Sequence, residues 1–198
     1  MLHVRCWLQE DFASNPKLVD TMFVDRARQF KERLQWDVSV DERGWEVDQY
    51  DAAGPLYVMA EGPDGQHLGS GRFMSCRTPT MTEEFFDHLL PPEWHALRHR
   101  TFETTRFCIS TNVDLKTARN SARLVMAGGI SCCVASGVND IVGVFDRSLA
   151  RVYRKIGWAP RVIGESRDLA LGHWTADPRV LKEFSDVLPA FKVDISIG

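Results

Sequence analysis

The apolar and polar positions of this chain switch repeatedly between a strand period and a helix period. "HVRCWL" at 3–8 reads as a first strand. Leu18, Met22, Phe23 and Phe30 then recur at helical spacing, which predicts a helix from about Asn15 to Leu34. A long irregular loop follows from Trp36 to Asp51. "LYVMAEG" (56–62) and "QHLGSGRFMS" (66–75) alternate as strands, and "PDG" between them predicts a hairpin turn. "TFETTRFCIS" (101–110) predicts another strand, 116–137 a helix, and "DIVGVF" (140–145) a buried strand. "RSLARVYRKIG" (147–157) predicts a helix closed by Gly157, and "DPRVLKEF" (177–184) opens a last helix with Asp177 as cap and Pro178 in its first turn. Mixed element types without internal repeats or low-complexity linkers predict an α/β protein, with residues 1–198 as a single domain.

Composition narrows the function classes. With 198 residues, 44% of them hydrophobic, the chain can bury one sizeable core. A formal net charge of -3 and the absence of a long basic block give no reason to expect nucleic acid. No apolar run approaches the roughly 20 residues that span a membrane, and "MLHVRCWLQEDF" lacks the apolar core of a signal peptide, so a cytosolic monomer is expected. Five cysteines without paired spacing predict small buried hydrophobes rather than disulfides. His95 and His99 stand four apart but lack a third ligand, so no metal is expected.

Charged residues where burial is expected are the candidates for chemistry. Arg26, Phe30 and Arg33 at i, i+4 and i+7 place two guanidiniums and a ring on one helix face, fit to clamp a carboxylate or equally to form a solvated face over a packed Phe30. Asp48, Asp51, Arg72, Glu103 and Arg106 lie on or beside core strands, where charges persist only when paired. They form either a structural ion-pair network or a polar cleft. Glu103 and Arg106, three apart, point to opposite faces of a regular strand, so a β-bulge or splayed strand near Thr104 and Thr105 is required if both serve one site.

The ordered array Arg26-x3-Phe30-x5-Trp36, "DQYD", Gly71-Arg72, Phe86 and Glu103-x2-Arg106, running on to "KIGW" at 155–158, resembles the LuxI-type acyl-homoserine-lactone synthases over most of the chain. The resemblance implies a three-layer α/β/α sandwich with a mixed central sheet, similar to the GCN5-related N-acetyltransferases. It also implies a reaction in which S-adenosylmethionine is acylated on its amine and lactonised, methylthioadenosine leaving, with an acyl carrier protein as the usual acyl donor and acyl-CoA as the other. S-adenosylmethionine is then a substrate, and no cofactor is expected.

That substrate carries a carboxylate, an ammonium, a sulfonium and an aromatic base. Arg26 or Arg33 can pair the carboxylate, Asp48 or Asp51 can balance the cationic centre, Trp36 or Phe30 can stack, and Arg72 belongs to the same array. Glu103 is the candidate general base beside Arg106, although it could equally anchor Arg72 or Arg106. Phe86, Leu124, Met126, Val142, Val144 and Phe145 are candidate walls for the acyl chain, or plain core. Phe145-Asp146 stands where family members that prefer 3-oxo chains commonly carry threonine, so chains without a 3-oxo group are expected. Gly128-Gly129 inside a predicted helix suggests close backbone approach, room for a chain or a helix break. Arg147, Arg151 and Arg154, joined by Lys155, stack on one predicted helix face and offer an acidic carrier protein a docking surface. A CoA-dependent acyltransferase acting on another amine, for which "DLKTARNSARLV" lacks the expected glycines, and a non-catalytic binding module are the alternatives.

Overall fold

Gly65, at φ 77°, turns the chain between β2 (Leu56–Glu61) and β3 (His67–Ser75), so the hairpin predicted at "PDG" forms where glycine tolerates the left-handed region. It belongs to the eight-stranded sheet of a computed structural model that describes residues 2–196. The remaining strands are β1 (Leu2–Trp7), β4 (Thr101–Ile109), β5 (Asp140–Asp146), β6 (Arg161–Glu165), β7 (Leu169–Thr175) and β8 (Phe191–Ile195). Their order is β6-β7-β5-β4-β3-β2-β1-β8, with β4–β5 and β1–β8 parallel and the other neighbours antiparallel. The sheet is therefore mixed, as expected.

Helices cover both faces. On one, α1 (Pro16–Ala27) packs Leu18, Val19, Met22 and Phe23 against Trp7, Tyr57 and Met59. Farther along that face, α2 (Met81–Phe85), α3 (Trp94–Leu97) and the chain between them set Leu89 and Trp94 on Cys76, Val142 and Leu171. The opposite face carries α4 (Leu115–Ala135), α5 (Ala150–Ile156) and α6 (Pro178–Val187) over the largest core cluster. This is the three-layer α/β/α sandwich.

The glycine pair of α4 has a clear cause. A Cβ on Gly128 would stand 2.5 Å from methyls of Val4 and Val58, and one on Gly129 2.7 Å from the Phe73 ring. The helix is unbroken and uses the two glycines to press onto β1, β2 and β3. All five cysteines are buried and unpaired.

Three local readings need correction, and three strands are added to those expected. The predicted helix over 147–157 is a 3-10 turn at Arg147–Leu149, capped by Asp146, followed by α5; Gly157, at φ 108°, ends it as expected. The strands β6, β7 and β8 were not expected: β6 is a short edge strand of mixed exposure, β7 interrupts its pattern with Gly172 beneath Phe145 and Trp174, and β8 alternates strictly as Phe-Lys-Val-Asp-Ile but over only five residues. His95 and His99 do not share a helix face, since α3 ends before a 3-10 turn at Arg98–Arg100. Finally, the first helix is α only to Ala27 and winds as a π turn over Arg28–Arg33, where Leu34 N–H donates to Gln29 O, five residues back.

Candidate active site

The site is organised by an irregularity in β4. Ser70 pairs with Cys108 and Arg72 with Thr105, so Gly71 faces two residues, Arg106 and Phe107. Arg106 takes φ 51°, the conformation of a bulge. On the other edge, the β4–β5 ladder stops at Glu103 and Val142, and the two strands part from Thr104 onward. The expected splay thus sits at Thr104, and the bulge lies one to two residues beyond it. As a result Glu103, Thr105 and Arg106 all present to the face that carries α1.

Three guanidiniums meet three carboxylates there. Arg26, 1% exposed, clamps Asp51 through Nη1 (2.9 Å) and Nη2 (3.0 Å) and reaches Glu46 through Nε (2.7 Å). Arg72 binds Asp48 Oδ2 at 3.0 Å, Asp51 at 3.0 Å and the Thr105 hydroxyl at 2.9 Å. Arg106 joins Glu46 (3.0 Å) to Asp48 (2.8 Å). Tyr57 donates to Asp51 at 2.7 Å. Burial alone raises the Asp51 pKa, but the Arg26 hydrogen bond, the Arg26 and Arg72 charges and the Tyr57 hydroxyl hold it well below the ordinary carboxylate range. The cluster is electrically balanced and closed on itself.

Closure decides between alternatives that the sequence leaves open. The donors of Arg26 are taken up by Glu46 and Asp51, so it presents no free bidentate edge to a substrate carboxylate, and Asp51 is likewise consumed. Arg33 does not share the face of Arg26 and Phe30; the π turn delays its rotation, leaving it exposed and bonded to Gln29. Glu46 is the residue that sequence reasoning missed. It is completely buried, bridges Arg26 and Arg106, and its signal was an acid set between apolar Trp45 and Val47 in "GWEVD".

Beside the cluster stands an aromatic wall. Gln35, at φ 54°, folds the chain back after the π turn, Trp36 N–H donates to Phe30 O at 2.8 Å, and the two rings stack at 4.9 Å and 14°. Trp36 is 47% exposed while Phe30 is buried, with the Arg106 guanidinium 5.4 Å from the Phe30 ring centre. The Nη1 of Arg106 touches only the Met81 sulfur, at 3.9 Å, and is the least engaged edge of the three arginines.

Glu103 is fully buried. It accepts the N–H groups of Thr82 (2.7 Å) and Met81 (3.1 Å), so what it anchors is the start of α2 rather than either arginine. Burial raises its pKa, opposed by those donors and the Arg72 charge. Tyr50, beneath Arg72, donates to Glu84 of α2 and ties the acidic loop to the same segment.

The candidate acyl residues do not form one wall. Phe86, Val142 and Val144 pack on the α1 face, whereas Leu124, Met126 and Phe145 belong to the core under α4. Of the candidate docking residues, Arg151, Arg154 and Lys155 are exposed on α5, but Arg147 turns aside to Ser166 O (3.1 Å) and Glu165 (3.4 Å). Among the described residues no three His, Cys, Asp or Glu side chains are placed to hold a metal ion, and no helix is long and apolar enough to cross a membrane.

Comparison with known proteins places this geometry. Residues 10–176 match the family model described as autoinducer synthase. The chain belongs to that family. This synthase is 34% identical over 182 residues to the acyl-homoserine-lactone synthase of Rhizobium etli, covering 88% of this chain and 85% of the relative. It is 36% identical to that of Agrobacterium fabrum, over 71% and 68% of the two chains. Acyl-homoserine-lactone synthesis, an acyl transfer that makes quorum-sensing signals, is the activity of the family. Among solved structures, the synthase resembles the CoA-dependent acyl-homoserine lactone synthase BjaI with SAM and isopentyl-CoA (TM-score 0.78, 18% identity, 100% and 94% covered). It also resembles LasI (TM-score 0.76, 21% identity, 96% and 98% covered), and a likeness to an N-acetyltransferase from Lactobacillus plantarum (TM-score 0.55, 14% identity, 88% and 99% covered) fits the acetyltransferase-like layering.

Proposed function

We propose that the synthase acylates the amine of S-adenosylmethionine with an acyl group from an acyl carrier protein and then closes the lactone, releasing methylthioadenosine. The observation that carries this reading is the conjunction of the Phe30–Trp36 wall, the balanced arginine–carboxylate cluster and the parting of β4 from β5, all meeting at Arg106. Trp36 offers a half-exposed ring to adenine or sulfonium. Because Arg26 and Asp51 satisfy each other, the free edge of Arg106 and the exposed Arg33 are the groups left for the carboxylate. Asp48, the most exposed of the three carboxylates, meets the ammonium by exchanging one of its bonds to Arg72 or Arg106. Arg26, Asp51, Glu46 and Arg72 hold the frame.

The amine attacks the thioester carbonyl only when neutral, so a proton must leave it. Glu103 is our base: its buried carboxyl has a raised pKa, and it hands the proton on to the departing thiolate. Its oxygens are occupied by α2 amides, so this role requires either a water at the carboxylate or withdrawal of the α2 terminus. In the second step the substrate carboxylate oxygen displaces the sulfonium at the γ-carbon, closing a five-membered ring by proximity. The gap between β4 and β5, flanked by Val142, Val144 and Phe86, takes the acyl chain. Asp146 caps Ser148 N–H at 2.8 Å, leaving Phe145-Asp146 without a hydroxyl for a 3-oxo group. Exposed Arg151, Arg154 and Lys155 receive the acidic carrier.

Purified protein with S-adenosylmethionine and an acyl carrier protein thioester should release methylthioadenosine and an N-acyl-homoserine lactone in equal amounts. The same assay with acyl-CoA should be slower, and profiles across donors should favour chains without a 3-oxo group. Methylthioadenosine without lactone, or acylation of a different amine, would overturn the reading.

A further inference from the structure

Asp25 and His67 form a second buried pair, on a different side of α1 from the arginine cluster. Their side chains are 4% and 0% exposed, and His67 Nδ1 lies 2.9 Å from Asp25 Oδ2. Burial raises the Asp25 pKa, but His67, Ser110 and Arg28 hold it below its ordinary value, so Asp25 stands ionised. Its second oxygen accepts Arg28 Nη1 at 3.2 Å, and the His67 backbone N–H donates to Thr21 Oγ1 at 3.0 Å. The other ring nitrogen, His67 Nε2, is buried without a protein partner. His67 borders a polar chamber of about 60 Å³ whose walls include Arg28, Gln66, Ser110 and Asn112. A water molecule occupies about 30 Å³ in the liquid and needs two to four polar partners, which these walls supply.

We propose that the chamber holds one or two ordered waters that complete the hydrogen bonding of His67, and that Asp25, His67 and this water together position the π turn that carries Phe30 and leads into Trp36. A π turn is rare and strained relative to the α-helix, and persists where its surroundings hold it. Arg28, the first residue of the turn, is the one bonded to Asp25. Asp25 and Arg26 are adjacent, so their side chains leave α1 about 100° apart. Arg26 fixes the helix to the acidic loop, and Asp25 fixes it to β3 and to the chain after β4. Two anchors in different directions set both the rotation and the height of α1. With the second one loosened, the helix can expel its extra residue and continue as α, which swings Phe30 and Trp36 away from Arg106. Asp25 and His67 are thus positioning residues, and the inference rests on the reading that this wall binds S-adenosylmethionine.

The test compares Asp25→Asn, His67→Phe, His67→Gln and, as a control, Glu61→Gln, which alters the bonds of Asn15 and Arg5 at the far end of α1. Asp25→Asn and His67→Phe should weaken S-adenosylmethionine binding, read by isothermal titration calorimetry, about tenfold, with kcat within about twofold. Amide exchange over residues 28–36 should quicken in the unliganded variants. His67→Gln, whose amide can serve both Asp25 and the water, should recover most of the affinity, and Glu61→Gln should lower stability without touching affinity. Unchanged binding and exchange in Asp25→Asn would overturn the proposal, as would affinity losses that follow stability across all four variants. A high-resolution crystal structure with a dry chamber would remove the water. If the wild type binds no S-adenosylmethionine, the functional reading fails instead, and exchange over residues 28–36 alone judges the positioning role. Should His67→Phe not fold, Asp25→Asn and His67→Gln still decide.

Discussion

On the α1 face of β4, six charged side chains satisfy one another, while at the margin where β4 leaves β5 the residues are packed as in any protein interior. The first region is costly to assemble. Each buried ion stays charged only because its partners are fixed within about 3 Å, and removing one partner strands the others. The second region is stabilised by area and shape alone, and it tolerates exchange of one aliphatic residue for another. In the proposed reading, substrate recognition in the polar half therefore falls to the few groups left over after closure, Trp36, Arg33 and one edge of Arg106, and to Asp48 by exchange of a partner. In the apolar half it falls to whatever space the strands leave.

The comparison breaks first at Glu46. Glu46→Ala leaves Arg26 and Arg106 short of a buried partner and should cost about 3–5 kcal/mol in urea unfolding; a loss below about 1 kcal/mol would mean that water enters the cluster freely. The same cluster sets acid sensitivity. The folded pKa of Asp51 lies below its unfolded value of about 3.9, so its contribution is fully present above that value and drains away as pH falls from there toward the folded pKa. Wild-type urea midpoints should decline below about pH 4, and Asp51→Asn, weaker at neutral pH, should show a flatter profile. On the apolar side, Gly128→Ala forces a methyl against Val4 and Val58 and should cost about 1–3 kcal/mol in thermal unfolding, with substrate affinity preserved. Trp36→Ala reverses that pattern: S-adenosylmethionine affinity should fall about tenfold while stability moves by less than about 1 kcal/mol, because the ring is half exposed. The smallest effect belongs to Arg151→Glu with Arg154→Glu. Stability should stay within about 0.5 kcal/mol, and the Michaelis constant for carrier-bound acyl groups should rise at low salt and converge with wild type as salt screens the surface.

The polar half was legible in the sequence because burying charge always needs a reason. Asp48, Asp51, Arg72, Glu103 and Arg106 announced a cluster, which in the structure gains Arg26, expected as a substrate clamp, and leaves Glu103 to the start of α2; the odd spacing of Glu103 and Arg106 announced an irregular strand. Which of them stay free could not be read, since that depends on how Glu46, in a loop without periodicity, partitions between Arg26 and Arg106. The displacement of Arg33 was hidden for a related reason: a π turn has no distinctive sequence, and i, i+7 spacing presumes an unbroken α-helix. The apolar half was illegible in kind. Leu124 and Val142 have the same pattern whether they wall a chain or fill a core, and only the structure assigns them to opposite faces of the sheet. The short strands β6 and β8 were overlooked because five residues carry too brief a pattern to stand out, even where β8 alternates as Phe-Lys-Val-Asp-Ile.

The parallel pairing of β1 with β8 has a consequence for synthesis. Of the eight strands, translation delivers β1 before the others, its inner partner β2 follows within one helix and a loop, and its outer partner β8 comes after the other seven. Until then the outer rim of β1, where Leu2 N–H meets Ala190 O and Cys6 O meets Ser196 N–H, has no neighbour and offers a ready template for another nascent chain. The interval between the first strand and the last is the stage at which this protein is most exposed to misassembly, and slowing translation ahead of residue 191 should lower its soluble yield without altering the molecule that finally folds.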